Sequence, residues 1–508
     1  MNPTYGAIAV AMVAVATVAV GAFGLRISRT TSDFYVASRS VGPVLNASAI
    51  GGEYLSAASY LGAAGLILAF GADMLWYPVG WTAGYLVLLV LVAAPLRRSG
   101  AYTIPDFAEI RLESTQARQS ATLLVVLIGW LYLLPQFQGA GLTLRTVTGA
   151  PLWVGEVGVA LVVLVNVLSG GMRSITFVQA FQYWLKLTAL LVPVAFLLLA
   201  WRGDGAPTPG GEWTLPLDGA ADHELYRTYS LILATFLGTM GLPHVLVRFY
   251  TNPDGRAARR TTLLVLCLLA MFYVLPAVYG VLGRVYAPDL IGEGRTDAVV
   301  LELPARILGG IGGDLLGALL AAGAFAAFMS TSSGLAVSVA GVLSQDVLSQ
   351  HAWGRRLSGV AGFRVATILA VTVPLVLALA AQRLPVANSV ALAFAVAAST
   401  LCPLLVLGIW WPRLTDAGAI AGMGAGGIAS GLAVMVTIVS SDRSGWLGAL
   451  LSQPAAWTVP LGFVVMIAVS LATPHRMAPG VLRTMVRLHT PEQLDLNRGN
   501  WHPERSQG

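Results

Sequence analysis

Long apolar stretches alternate with short polar ones along the whole chain. Thirteen stretches carry almost no charge, near 5–24, 42–68, 74–96, 119–144, 151–170, 174–200, 229–249, 261–283, 309–342, 365–382, 387–411, 417–439 and 454–473. Each has about the 20 residues a helix needs to cross the hydrocarbon of a bilayer. The runs are near-continuous and do not alternate with a period of two, which excludes barrel strands. The pattern predicts an all-α polytopic membrane protein whose polar segments are loops. No basic residue precedes the first span, which is read as a retained helix and not a cleaved signal.

Composition agrees. Of 508 residues, 56% are hydrophobic and only 11% charged, and the mean hydropathy is +0.75. Soluble domains carry roughly 25% charged residues, and a soluble fold could not cover this much apolar surface. Cys267 and Cys402 lie in apolar runs and read as small core residues. The net charge of +6 gains meaning from its placement. With an odd number of spans the termini face opposite sides, and with the N-terminus outside, 21 arginines fall on inner segments and 8 on outer ones. That bias predicts N-out, C-in. Scattered over short loops, it excludes a nucleic-acid surface. The longest loops, 201–228 and 284–308, leave no room for a soluble domain, and the polar tail 475–508 is expected in the cytoplasm.

Three interruptions carry the chemistry. Within the second span, Ile50-Gly51-Gly52-Glu53 sets two glycines before a carboxylate. Adjacent glycines weaken a helix by roughly 1 kcal/mol each, and a carboxylate at membrane depth faces a polar interior. Irregular backbone survives there only where protein or a cavity satisfies it, so the pair predicts an unwound turn. In the seventh span, Gly238, Gly241 and Pro243 make a second break. Two broken spans at matching places in two halves point to a transporter built from inverted repeats, here spans two to six and seven to eleven. In the ninth span, Ser330 to Ser333 place four hydroxyls in a row. Hydroxyls and freed carbonyls suit a hard cation such as Na+, whereas the histidines and cysteines form no transition-metal cluster. No nucleophile–base motif is present, so an enzyme is not expected. The alternative for the hydroxyls is small-residue helix packing. Arg248, near the inner end of its span, is expected to extend to the surface, and His244 reads as a packed helix residue.

Taken in order, Ser32 to Gly42 (SDFYVASRSVG), Ser169 to Gln182 (SGGMRSITFVQAFQ) and Ser344 to Leu348 (SQDVL) resemble motifs of the sodium:solute symporter family. Gly51 to Gly62, Leu131 to Gly141 and Gly238 to Thr251 resemble its cation:acetate symporters. The resemblance implies a LeuT-like fold of thirteen helices, with a first repeat over about 42–200, a second over about 229–411 and extra helices at both ends. It implies uptake of a short-chain monocarboxylate such as acetate, coupled to Na+, in a bacterial inner membrane, with no obligate protein partner. Carried over by position, the Na+ ligands are Gly52, Leu55, Ala327, Ser330 and Thr331, with Glu53 beside the ion as a coupling candidate. Substrate is expected near Ala58, Ser59, Gln136, Gln138, Thr239 and Gly241. Two departures stand out. Val178-Gln179 replaces the Thr-Asp pair of relatives that use a second sodium, so no second ion is expected. Ser330 to Ser333 replaces apolar residues of the acetate permeases, which supports Na+ coupling and weakens the acetate assignment. Another small solute, such as proline or a sugar, and proton-driven monocarboxylate uptake remain open alternatives.

Overall fold

The computed structural model describes residues 2–27, 37–210, 223–350, 359–380, 386–439 and 445–492. Residues 32–36 of the Ser32 to Gly42 motif, the tail beyond 492, and seven arginines of the topology count (Arg29, Arg355, Arg356, Arg383, Arg443, Arg498 and Arg505) lie outside the described residues.

Every regular element among the described residues is helical. The chain runs through α1 (Pro3–Ile27), the bent pair α2 (Pro43–Tyr54) and α3 (Ala58–Phe70), and α4 (Ala72–Arg98). A short α5 (Ile104–Leu112) leads to α6 (Thr115–Thr148) and α7 (Leu152–Gly203). The second broken pair is α8 (Glu224–Gly241) and α9 (Pro243–Val247). Then come α10 (Gly255–Tyr286), α11 (Gly310–Val342), α12 (Gly359–Ala380), α13 (Val386–Ser399) and α14 (Leu401–Trp410). The chain closes with α15 (Asp416–Val439), α16 (Ala455–Ala472) and a short α17 (Val481–His489).

Eleven of the described helices are long and apolar enough to cross a membrane, and the α2–α3 pair makes a twelfth crossing. The 52 residues of α7 would span about 78 Å if straight, against roughly 30 Å of hydrocarbon. They are divided at Gly171, whose φ of 55° and ψ of −147° suit only glycine. The hydropathy pattern reads this stretch as two spans, 151–170 and 174–200, and the division at Gly171 falls between them.

Helix α7 is the hub, packed on α1, α2, α6 and α11. Its approach to α2 depends on glycine: a Cβ on Gly52 would lie 2.1 Å from the Gln179 carbonyl oxygen. On the other side of the molecule α8 packs between α4 and α13. The two breaks adjoin, since Thr239 Oγ1 of α8 lies 2.8 Å from the Tyr54 hydroxyl of α2.

Candidate substrate and cation site

The break between α2 and α3 is a 71° bend with a specific backbone cause. Leu55 leaves the helical region, with φ −73° and ψ 81°. The Ser56 amide folds back onto the Tyr54 carbonyl at 2.8 Å, and the Ala57 amide donates to Gln136 Oε1 at 3.3 Å. In a closed helix those two amides would serve the Gly52 and Glu53 carbonyls. Both carbonyls are thereby released toward α7 and α11.

What they meet is the hydroxyl run. Ser330 Oγ donates to the Gly52 carbonyl at 2.6 Å, and Thr331 Oγ1 donates to the Glu53 carbonyl at 2.6 Å. The Ala327 carbonyl lies 3.1 Å from Ser330 Oγ. Of the five residues expected around a cation, Gly52, Ala327 and Ser330 thus meet at one point, while the Thr331 hydroxyl lies on the neighbouring Glu53 carbonyl. That point is occupied by the side chain of Lys186 from α7. Its Nζ donates to the Gly52 carbonyl at 2.5 Å, to the Leu55 carbonyl at 2.7 Å and to Ser330 Oγ at 3.0 Å. Lys186 is fully buried. The sequence offered one signal for it: it is the only lysine in the chain and sits in mid-span.

Glu53 points away from this cluster and takes a charged partner. Arg248 Nε donates to Glu53 Oε2 at 2.6 Å, with both side chains at most 2% exposed. Arg248 also donates to Thr176 Oγ1 at 2.8 Å and to Gln179 Oε1. Gln179 Nε2 in turn donates to the Ser330 carbonyl at 2.8 Å. The expectation that Arg248 extends to the surface is corrected here. Leu242 is extended between α8 and α9, with φ −76° and ψ 117°, and the segment beyond it brings Arg248 to Glu53. Room for Glu53 comes from Gly334, where a Cβ would lie 2.0 Å from Glu53 Oε1.

Next to the break the rings of Tyr54, Trp81 and Tyr132 gather on Phe394, with centroids 6.4, 6.2 and 5.9 Å away. Tyr85 stands edge-on to Tyr54 at 4.7 Å. Three polar groups here, Trp81 Nε1, the Tyr85 hydroxyl and Gln136 Nε2, are buried without a protein partner. His244, whose ring lies 5.3 Å from Tyr132, is also buried with both nitrogens unpartnered. Among the expected substrate residues, Ser59 Oγ lies 2.9 Å from the Tyr273 hydroxyl and Thr239 Oγ1 lies 2.8 Å from the Tyr54 hydroxyl, both on the wall of this aromatic nest. Ala58 is buried in the first turn of α3. Gln138 and Gly241 point elsewhere. Gln138 Nε2 donates to the Ala378 carbonyl of α12 at 3.1 Å, because two residues on from Gln136 is about 200° around the helix. Gly241 abuts α13, where a Cβ would lie 2.3 Å from the Ala397 carbonyl. The aromatic residues carried no motif in the sequence; only the folded chain assembles them.

A cavity of about 1000 Å³ lies between α4, α7 and α10, bordered by Leu75, Val79, Leu86 and Val274. These are partly exposed apolar residues, so that space suits hydrocarbon and not a small polar solute.

The chain is similar to known proteins. The profile of the sodium:solute symporter family matches residues 34–426. An uncharacterized symporter, YwcA of Bacillus subtilis, is 32% identical over 475 residues, covering 87% of this chain and 89% of the relative. A monocarboxylic acid transporter of Corynebacterium glutamicum is 32% identical over 483 residues, covering 87% of each. Among solved structures, a Na+-coupled sialic acid symporter, in a substrate-bound outward-open state, superposes with a TM-score of 0.71 at 15% identity. That alignment covers 94% of this chain and 98% of the other. A nucleobase-cation-symport-1 transporter in a closed conformation gives 0.56 at 16%, covering 89% and 98%. These likenesses establish the LeuT-like fold and a transporter rather than an enzyme. With its two adjoining broken spans, this chain belongs to the sodium:solute symporter family.

Proposed function

We propose that the protein is a secondary active symporter that carries a short-chain monocarboxylate such as acetate, driven by a cation gradient, through alternating access. The observation that carries the substrate class is the aromatic nest beside the α2 break. Its three unpartnered groups, Trp81 Nε1–H, the Tyr85 hydroxyl and Gln136 Nε2–H, can all donate, and ionised carboxylates only accept. The monocarboxylic acid transporter relative supports the same class. Substrate would sit between the α2–α3 break and α8, with Ala58, Ser59 and Thr239 on the wall. The repeats would be 42–200 and 229–411, in a bacterial inner membrane with the N-terminus outside.

Kinship supports Na+ as the driving ion. A second reading, proton-driven uptake, is favoured by one observation: a lysine ammonium already lies among the oxygens expected to hold Na+.

The test is labelled acetate uptake into proteoliposomes under an inward Na+ gradient, and separately under an inward proton gradient. Saturable uptake under one of the two gradients, competed by propionate and not by proline or glucose, is the expected result. One monovalent cation with one monocarboxylate moves no net charge. An imposed potential, worth about 2.3 kcal/mol per charge per 100 mV, should then leave accumulation unchanged. Competition by a neutral solute would refute the substrate class, and an inward current would refute the one-to-one stoichiometry.

A further inference from the structure

We propose that the Lys186 ammonium is a tethered cation that permanently occupies the α2–α7–α11 cation position, so that this site does not take Na+. The inference concerns the cation step of the proposed symporter and rests on that reading only for the chain's being a symporter, not for its substrate.

The geometry is that of a filled cation site. An ammonium has three donors, and Lys186 Nζ finds three oxygens at 2.5, 2.7 and 3.0 Å. Two are backbone carbonyls released by the helix break and the third is a hydroxyl whose own proton is directed to the Gly52 carbonyl. Such oxygens, turned inward on one point, are what a hard monovalent cation would require. A second cation cannot share them, because Nζ stands where it would bind.

Charge bears this out. Among the described residues, the charged groups around the point are Lys186 on α7, Glu53 on α2 and Arg248 beyond α9. Glu53 is committed to Arg248 at 2.6 Å. From Gly317 to Val342, α11 carries no charged residue, and Tyr279 of α10 donates to the Leu190 carbonyl of α7 at 3.1 Å. The cluster already holds one positive charge in excess, so an added Na+ would enter against it. Residue choice points the same way. Of the 30 basic residues, this alone is lysine. A compact ammonium on a flexible stem can replace a spherical ion, whereas the planar arginine fork cannot.

The experiment measures Na+ binding to the purified full-length protein without any solute, so it stands whether or not acetate is the substrate. Equilibrium binding of radiolabelled Na+ and thermal stability in NaCl against choline chloride are read at one fixed pH. Wild type should show no saturable Na+ binding and equal melting in both salts. Lys186→Ala, which opens the position, should gain saturable binding and several degrees of Na+-specific stabilisation. Both should vanish in Lys186→Ala/Ser330→Ala/Thr331→Ala. A lysine with a merely structural role would not be replaced by an ion response. Saturable Na+ binding by wild type that Ser330→Ala abolishes overturns the proposal, even should Lys186→Ala fail to fold. Lys186→Ala that folds without gaining any Na+ response overturns it as well. Failure of acetate uptake in the separate transport assay would refute the substrate class and leave this binding result in place.

Discussion

The buried Glu53–Arg248 pair permits a prediction in which charge count decides the sign. At 2.6 Å and an effective dielectric of about 20, the attraction is roughly 6 kcal/mol. Desolvating two ions costs several kcal/mol each, so the pair is close to neutral as a net contribution. Breaking it is different. Glu53→Ala leaves Arg248 and Lys186 as two buried cations with no counter-charge, and an orphaned buried ion costs about 3–5 kcal/mol. At about 1.4 kcal/mol per tenfold, that is on the order of a hundredfold to a few thousandfold in the folded fraction. Glu53→Ala/Arg248→Met removes both partners and restores the native excess of one positive charge. It should recover most of the loss, because replacing a whole buried pair by apolar groups is often neutral. The assay is the monodisperse fraction and apparent melting temperature in detergent, for wild type, both single variants and the double. Additive losses, with the double variant worse than Glu53→Ala, would show that charge balance is not what holds these residues together.

Three further outcomes follow from the same geometry. Gly52→Ala should cost about 1–3 kcal/mol or more through overpacking, since the new Cβ meets the backbone of Gln179 at 2.1 Å; Gly158→Ala on α7, with nothing within 4 Å of its Cβ, should instead be neutral or slightly stabilising, and melting curves compare the two. Trp81→Phe deletes one donor from the aromatic nest and, at about 1.5–3 kcal/mol for a hydrogen bond to a charged group, should raise the acetate KM by roughly ten- to a hundredfold with melting unchanged; an unaltered KM would remove Trp81 from the site. Asp346 accepts from Arg118 Nε at 2.8 Å and from Thr122 at 2.8 Å, tying α6 to the turn after α11. Asp346→Asn should lower the melting temperature, and Arg118→Lys should do so too, because an ammonium cannot reproduce the forked contact.

The sequence by itself determined the membrane class, the all-helical polytopic architecture and the positions of both breaks. Each is a local property: hydropathy acts over about 20 residues, and Gly51-Gly52 or Gly241 and Pro243 weaken the helix wherever it packs. The family motifs added which oxygens face one another, since Gly52, Leu55, Ala327, Ser330 and Thr331 lie on two elements whose pairing the fold class implies. What fills the point between them was decided by α7, a third element, whose rotation sets Lys186 inside and not beside it. Hydropathy marks a mid-span lysine as costly and cannot say which cluster repays it. Arg248 shows the same limit: a turn after Gly241 and the missing side chain of Gly334 convert an apparent surface residue into the partner of Glu53. The aromatic nest was invisible for a related reason. Tyr54, Trp81, Tyr85, Tyr132 and Phe394 come from four separate helices, and only close packing of those helices brings their rings and donors to one place.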